Sequence, residues 1–168
     1  MRDIVQEEIT RNKVSVIEGS EGADNKDKIQ SVISELNERK NRENNLVMYG
    51  IDEQNSTNRV ERLNHDKEKA IKVGEICGVK VTNEDIIKIV RLGKYENEKP
   101  KRPMLVTFAD KQMKIEYLKG GSKLKDKEET HDIRIANDMT PIERENEKKL
   151  FAEAKEREKT RKESTVSR

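Results

Sequence analysis

Between residues 44 and 138 the spacing of apolar side chains changes twice from every second residue to every third or fourth and back, and this alternation constrains the fold more than any single motif. The run NNLVMYGI (44–51) is β-prone and closes on a glycine. A helical pattern follows in which Val60, Leu63, Ala70, Ile71, Gly74 and Cys77 recur at helical steps, with Ser56 or Thr57 as N-cap and Gly78 as the stop. TNEDI (82–86) offers a short capped turn, IIKIVRL (86–92) reads as a second strand, and Met104 to Ala109 as a third. Asp110 caps a second helix carrying Met113, Ile115, Tyr117 and Leu118, which Gly120 and Gly121 end. A charged, hairpin-like loop then leads to DIRIAND (132–138), the fourth strand.

The order β-α-β-β-α-β predicts an α+β domain over residues 44–139. Two right-handed crossovers interleave into a four-stranded antiparallel sheet with both helices on one face, the ferredoxin-like arrangement, and the other face stays open to solvent or ligand. In the first strand Leu46, Met48 and Gly50 share one side, and Val47, Tyr49 and Ile51 the other. In the third strand Met104, Val106 and Phe108 oppose Leu105 and Thr107. The Leu/Met/Val/Phe set is the better core, so Val47, Tyr49, Leu105 and Thr107 are expected to face outward.

Two charged flanks complete the chain. Residues 1–25 lack a clean period and are read as an irregular segment. From Lys26, the residues Ile29, Val32, Ile33 and Leu36 form one helical stripe over 26–43, too short to stand alone. Such a helix needs the domain behind it or copies of itself, so a coiled-coil homo-oligomer is its functional version. Residues 140–168 begin with Thr140 as N-cap, Pro141 at N1 and Glu143 at N3, a capping box. Ile142, Leu150, Phe151 and Ala154 are offered for packing, and beyond Lys155 a charge-paired helix frays into a tail.

Composition limits what else can be present. Charged residues reach 42%, hydrophobic residues 31% and aromatics 3% with no Trp, which allows one modest core. Cys77 is the only cysteine, so neither a disulfide framework nor a cysteine zinc cluster is available. No apolar run approaches the roughly 20 residues of a membrane span, and MRDIVQEEIT has acids where a signal peptide has its apolar centre. An intracellular location without membrane association is expected. His65 and His131 are accompanied by no nucleophile motif, Gly-rich loop or metal spacing, so neither an enzyme nor a cofactor or metal is expected.

Charge distribution carries the functional reading. The whole chain is +2, yet residues 86–125 hold eleven lysines and arginines against four acids. A local field of that sign is the footprint of a polyanion-binding surface. The stretch KPKRPMLVTF (99–108) loads cations at the mouth of a strand, where edge protection is the bland explanation and an anionic partner the functional one. Where an RNA-recognition motif carries two stacking aromatics in its third strand, Pro103 and Leu105 stand here, and Tyr49 is the one aromatic on that face. Binding must then rest on phosphates, with Lys99, Lys101, Arg102, Arg91, Lys119, Lys123 and Arg134 as the candidate groove. The reading is a single-stranded RNA or DNA binding protein largely indifferent to sequence. The alternative is a protein-docking or scaffold module using an apolar quartet of Val47, Tyr49, Ile51 and Leu105.

In order and spacing, RENNLVMYGIDE, IIKIVRLGK, KRPMLVTF and DIRIANDMTPIERE resemble the RNA-binding protein encoded by the first open reading frame of LINE-type non-LTR retrotransposons, over roughly residues 36–155. The resemblance implies a trimerising coiled coil, a non-standard RNA-recognition motif without stacking aromatics and a C-terminal domain, which together bind single-stranded RNA and DNA and act as a nucleic acid chaperone. It also implies residence in cytoplasmic ribonucleoprotein particles or the nucleus. By motif it assigns nucleic acid contact to Arg134 and to the bases of KPKRP, and places Lys119 near a basic loop that reads KGGSK here.

Overall fold

A computed structural model of the chain describes residues 20–96 and 101–166. Most of the irregular N-terminal segment (1–19), Lys99 and the last two residues lie outside the described residues. The chain divides into two units, residues 1–40 and 41–168. The first holds all of α1 (Ser20–Arg42) except its last two residues, which belong to the second, and α1 begins earlier than the apolar stripe requires. Ile29, Val32, Ile33 and Leu36 are all exposed, and a Glu35–Arg39 ion pair of 2.7 Å braces the turn beside them.

The second unit is α+β. Its sheet comprises β1 (Asn45–Tyr49), β2 (Ile86–Arg91), β3 (Met104–Phe108) and β4 (Arg134–Asn137). Its helices are α2 (Arg59–Cys77), α3 (Lys111–Gly120) and α4 (Pro141–Val166). The strands lie in the order β2-β3-β1-β4, and every neighbouring pair is antiparallel. Leu46, Met48, Ile86, Ile89, Met104, Val106 and Phe108 line one side. They pack with Ala70, Val73 and Cys77 of α2 and with Tyr117 of α3 into a single core. Each such side chain is worth roughly 1.5–3 kcal/mol when fully buried, so this face holds the domain together.

Two close contacts seat the helices. α2 ends at Gly78 in the left-handed conformation, as the sequence predicts, but its N-cap is Asn58 and not Ser56 or Thr57. The Asn58 side chain accepts from the Val60 amide at 2.9 Å, while Ser56 Oγ accepts the Asn58 amide. Midway along α2, a Cβ on Gly74 would lie 2.4 Å from the Tyr117 hydroxyl. The absence of a side chain there is what lets the Tyr117 ring slide under α2, stack at 5.0 Å on Phe108 and donate to the Ala70 carbonyl at 2.9 Å. Burial pushes the Tyr117 phenol well above its ordinary range.

Elsewhere the fold departs from the sequence reading. Val60 and Leu63, expected in the apolar stripe of α2, are exposed, because that end of the helix meets the sheet through Asp66 and Arg91 instead of an apolar contact. The hairpin-like loop after α3 is a 3-10 turn, Gly121–Asp126. It is anchored by buried Leu124 and by the Thr130 hydroxyl donating to the Leu124 carbonyl at 2.8 Å. The capping box of α4 is formed: the Thr140 amide donates to Glu143 at 2.9 Å and the Glu143 amide to Thr140 Oγ1 at 3.2 Å. Ile142, Leu150 and Phe151 nevertheless stay exposed. α4 runs on past Lys155 because ion pairs at helical spacing, Glu153–Arg157 and Glu158–Lys162, extend along it.

Candidate nucleic-acid interface

The face of the sheet turned away from α2 and α3 is ordered into three cross-strand rows. Ladder partners in a sheet project to the same side, so the register alone defines them. Arg134 pairs with Tyr49 in the first row. Ala136, Val47, Leu105 and Val90 make the second, which is apolar. Asn45, Thr107 and Lys88 make the third.

The first and third rows carry the polar chemistry. Tyr49 is 43% exposed, Arg134 is exposed, and Arg134 has no ion-pair partner among the described residues. In the third row Thr107 Oγ1 donates to Asn45 Oδ1 at 2.8 Å, and Asn45 Nδ2 donates to Asp138 Oδ2 at 2.9 Å. Arg42 holds the other oxygen of Asp138 at 3.0 Å. This relay ends beside Lys88, an exposed lysine with no ion-pair partner among the described residues.

Lys88 is a residue that strict alternation misses. A bulge between Ile86 and Lys88 shifts the register, so Ile86 and Ile89 both face the core although three residues apart. Lys88 is turned to the open side as a result. The apolar spacing of Ile86 and Ile89 was the available signal.

The cations expected in one groove are placed in four different surroundings. Arg91 is a correction: its ladder partner is Met104, on the core side, and its side chain is 7% exposed. It bonds both oxygens of Asp66, at 2.6 and 3.2 Å, and donates to the carbonyls of Ile51, Arg102 and Asp52. A guanidinium so fully occupied, in a site nearly closed to solvent, fixes loops instead of meeting a ligand.

Arg102 is similarly committed. It grips Glu53 at 2.7 and 3.0 Å, donates to the Gly93 carbonyl at 3.2 Å and lies 5.5 Å from the centre of the Tyr95 ring. Burial works to raise the Glu53 carboxyl, but the Arg102 hydrogen bonds outweigh it and hold the group below its ordinary value.

Lys101 remains on the surface, 2.5 Å from the exposed carboxylate of Asp52. That hydrogen bond, opposed by partial burial, lowers the Asp52 carboxyl. Lys123 donates to the Cys77 carbonyl at 3.3 Å, closing the end of α2. Lys119 is exposed on α3, so both belong to the helical layer and not to the open face. Lys99 lies outside the described residues.

Two members of the apolar quartet proposed for protein docking are covered as well. Ile51 is 2% exposed and packs in the core cluster, and Val47, flanked in its row by Ala136 and Leu105, is 5% exposed. Among the described residues, no helix is long and apolar enough to cross a membrane. In comparisons with known proteins, neither a family model nor a curated relative matches this chain.

Proposed function

We propose that the chain binds single-stranded nucleic acid, RNA foremost, through backbone contacts on the open sheet face. The domain is read as a ferredoxin-like, RNA-recognition-motif-type fold whose third strand lacks stacking aromatics. The strand order β2-β3-β1-β4 with α2 and α3 sharing one side supports that topology. The observation that carries the reading is Arg134, an uncommitted cation standing opposite Tyr49 on a surface left bare by both core helices.

A strand crossing this face meets Tyr49 and Arg134 at one end and Lys88 at the other. These rows are four residues apart along β1, about 13 Å at roughly 3.3 Å per residue, a path for about two or three nucleotides. Between them the row of Val47, Leu105 and Val90 offers no donor to a base edge, so sequence preference across the face is weak. The motif resemblance to LINE first-open-reading-frame proteins makes a retrotransposon ribonucleoprotein, with chaperone activity, the setting we propose for this binding.

The test is fluorescence polarisation of a labelled single-stranded RNA with wild type and with Arg134→Ala, Tyr49→Ala and Lys88→Ala. Weakened binding by each variant supports the site; three unchanged affinities reject it. The exposed stripe Ile29, Val32, Ile33 and Leu36 favours one addition, homo-oligomerisation through α1. Light scattering tests it, with a monomer mass as the contrary result.

A further inference from the structure

Beyond the Tyr49/Arg134 end of the sheet, on the side that α2 covers, lies a cavity of about 300 Å3. Gly50 and Ile133, the chain neighbours of Tyr49 and Arg134, line its near side. α2 supplies one wall with Lys69 and Lys72, and the turn before β4 supplies another with Glu128 and Glu129. A Cβ on Gly50, whose φ is +78, would lie 2.6 Å from the Asp132 carbonyl oxygen, so a bare backbone joins the two loops here.

The charges around this cavity are only partly paired, and Lys69 is close enough to Asp52 to help lower its carboxyl. Lys101 is taken by Asp52 at 2.5 Å and His131 by Asp132 at 3.1 Å. Lys69, Lys72, Glu128 and Glu129 have no ion-pair partner among the described residues. An occupant that satisfies both walls must be anionic at one end and bear hydrogen-bond donors at the other. At the small end of ligand-pocket volumes, which begin at roughly 300 Å3, there is room for one monomer unit and not for a chain.

We propose that this cavity is a subsite for one nucleotide of the bound strand, with its phosphate against Lys69 and Lys72 and its base against Glu128 and Glu129. The proposal rests on the single-strand binding reading above and adds a base preference to it. A carboxylate accepts from the exocyclic amino group of cytosine, and the same chemistry suits adenine and guanine. Uracil lacks an exocyclic amino group and offers only its N3–H, flanked by two carbonyl oxygens that the carboxylates repel, so it is the weaker partner. The subsite therefore favours an amino-bearing base over uracil at one position of an otherwise indifferent contact.

The experiment is fluorescence polarisation with a labelled uridine 12-mer and with 12-mers carrying one cytidine at successive positions. Wild type is expected to bind the cytidine oligomer at one register at least about 5-fold tighter, the equivalent of the lower bound for a base-specific contact. Glu128→Ala/Glu129→Ala, both exposed positions, should erase that preference while uridine binding holds or improves. Lys69→Ala/Lys72→Ala should weaken both oligomers. Uridine binding with no preference at any register, or a preference that survives the double glutamate variant, overturns the subsite alone. Failure of wild type to bind either oligomer overturns the single-strand reading beneath it. Circular dichroism melting of each variant separates lost contacts from lost folding.

Discussion

Arg134 of β4 is the direct ladder partner of Tyr49 of β1, and both side chains are exposed on the side of the sheet opposite the core. Directly opposed residues bring their Cβ atoms to about 4.5–5.5 Å. In the proposed complex a base stacked on Tyr49 would carry its phosphate within reach of the guanidinium. Stacking contributes roughly 1–3 kcal/mol per base, and one aromatic on the face limits it to a single base.

Removing either partner should cost binding and leave folding alone. Arg134→Ala is expected to weaken single-stranded RNA binding by roughly 10-fold, the scale of one lost charge-assisted hydrogen bond. Tyr49→Ala should lose a similar amount, whereas Tyr49→Phe should retain most of the affinity. Melting temperatures should stay within experimental error of wild type, since neither side chain contributes to the core.

Arg91 should behave in the opposite manner. Its replacement by Ala leaves the Asp66 carboxylate, 11% exposed, without its partner. The expected loss is about 3–5 kcal/mol of stability in urea unfolding. Arg91→Lys should not restore it, because one ammonium cannot span both Asp66 oxygens and three loop carbonyls. RNA affinity measured on the folded fraction should not change.

The four strands, their succession along the chain and the two core helices were legible because each rests on local periodicity, whereas their order within the sheet depends on long-range pairing. The Asp110 cap and the Thr140 capping box were legible for the same reason. What escaped the sequence depends on pairs far apart in the chain. Asp66 looks like any solvated helix acid until β2 brings Arg91 beside it, 25 residues on. Glu53 and Arg102 meet across 49 residues, so basic residues at the strand mouth that read as a ligand groove are partly consumed inside the fold. Lys88 was hidden by a bulge, whose one trace in the sequence is the three-residue spacing of Ile86 and Ile89.

The Glu53–Arg102 grip gives a pH dependence. Glu53 has an ordinary value of 4.5 and is held lower in the folded chain, so the unfolded chain takes up the proton first as pH falls. The stabilisation is complete above that value and is lost as pH drops through the lower folded one. Thermal unfolding from pH 6 to pH 3 should show wild type losing its advantage over Glu53→Gln below about pH 4.5; a constant difference across the range would count against the assignment.

Packing at the helix crossing is tight enough to reverse a propensity rule. Gly to Ala inside a helix ordinarily stabilises by about 1 kcal/mol, but at Gly74 the new methyl meets the Tyr117 hydroxyl at 2.4 Å and ring carbon Cζ at 2.7 Å. Gly74→Ala is expected to destabilise by roughly 1–3 kcal/mol in urea unfolding. Tyr117→Phe in the same chain should recover only part of the loss, since the ring carbon contact remains.

The central claim is that uncommitted cations on the side of the sheet opposite the core, Arg134 and Lys88, hold a phosphate backbone, and the salt dependence of binding measures it most directly. For single strands the slope of log Kobs against log salt is about −0.7 per phosphate contact. Polarisation titrations of a single-stranded RNA should give a negative slope that becomes shallower by about 0.7 in Arg134→Ala and again in Arg134→Ala/Lys88→Ala. Binding indifferent to salt, or a slope identical in wild type and the double variant, would contradict the account.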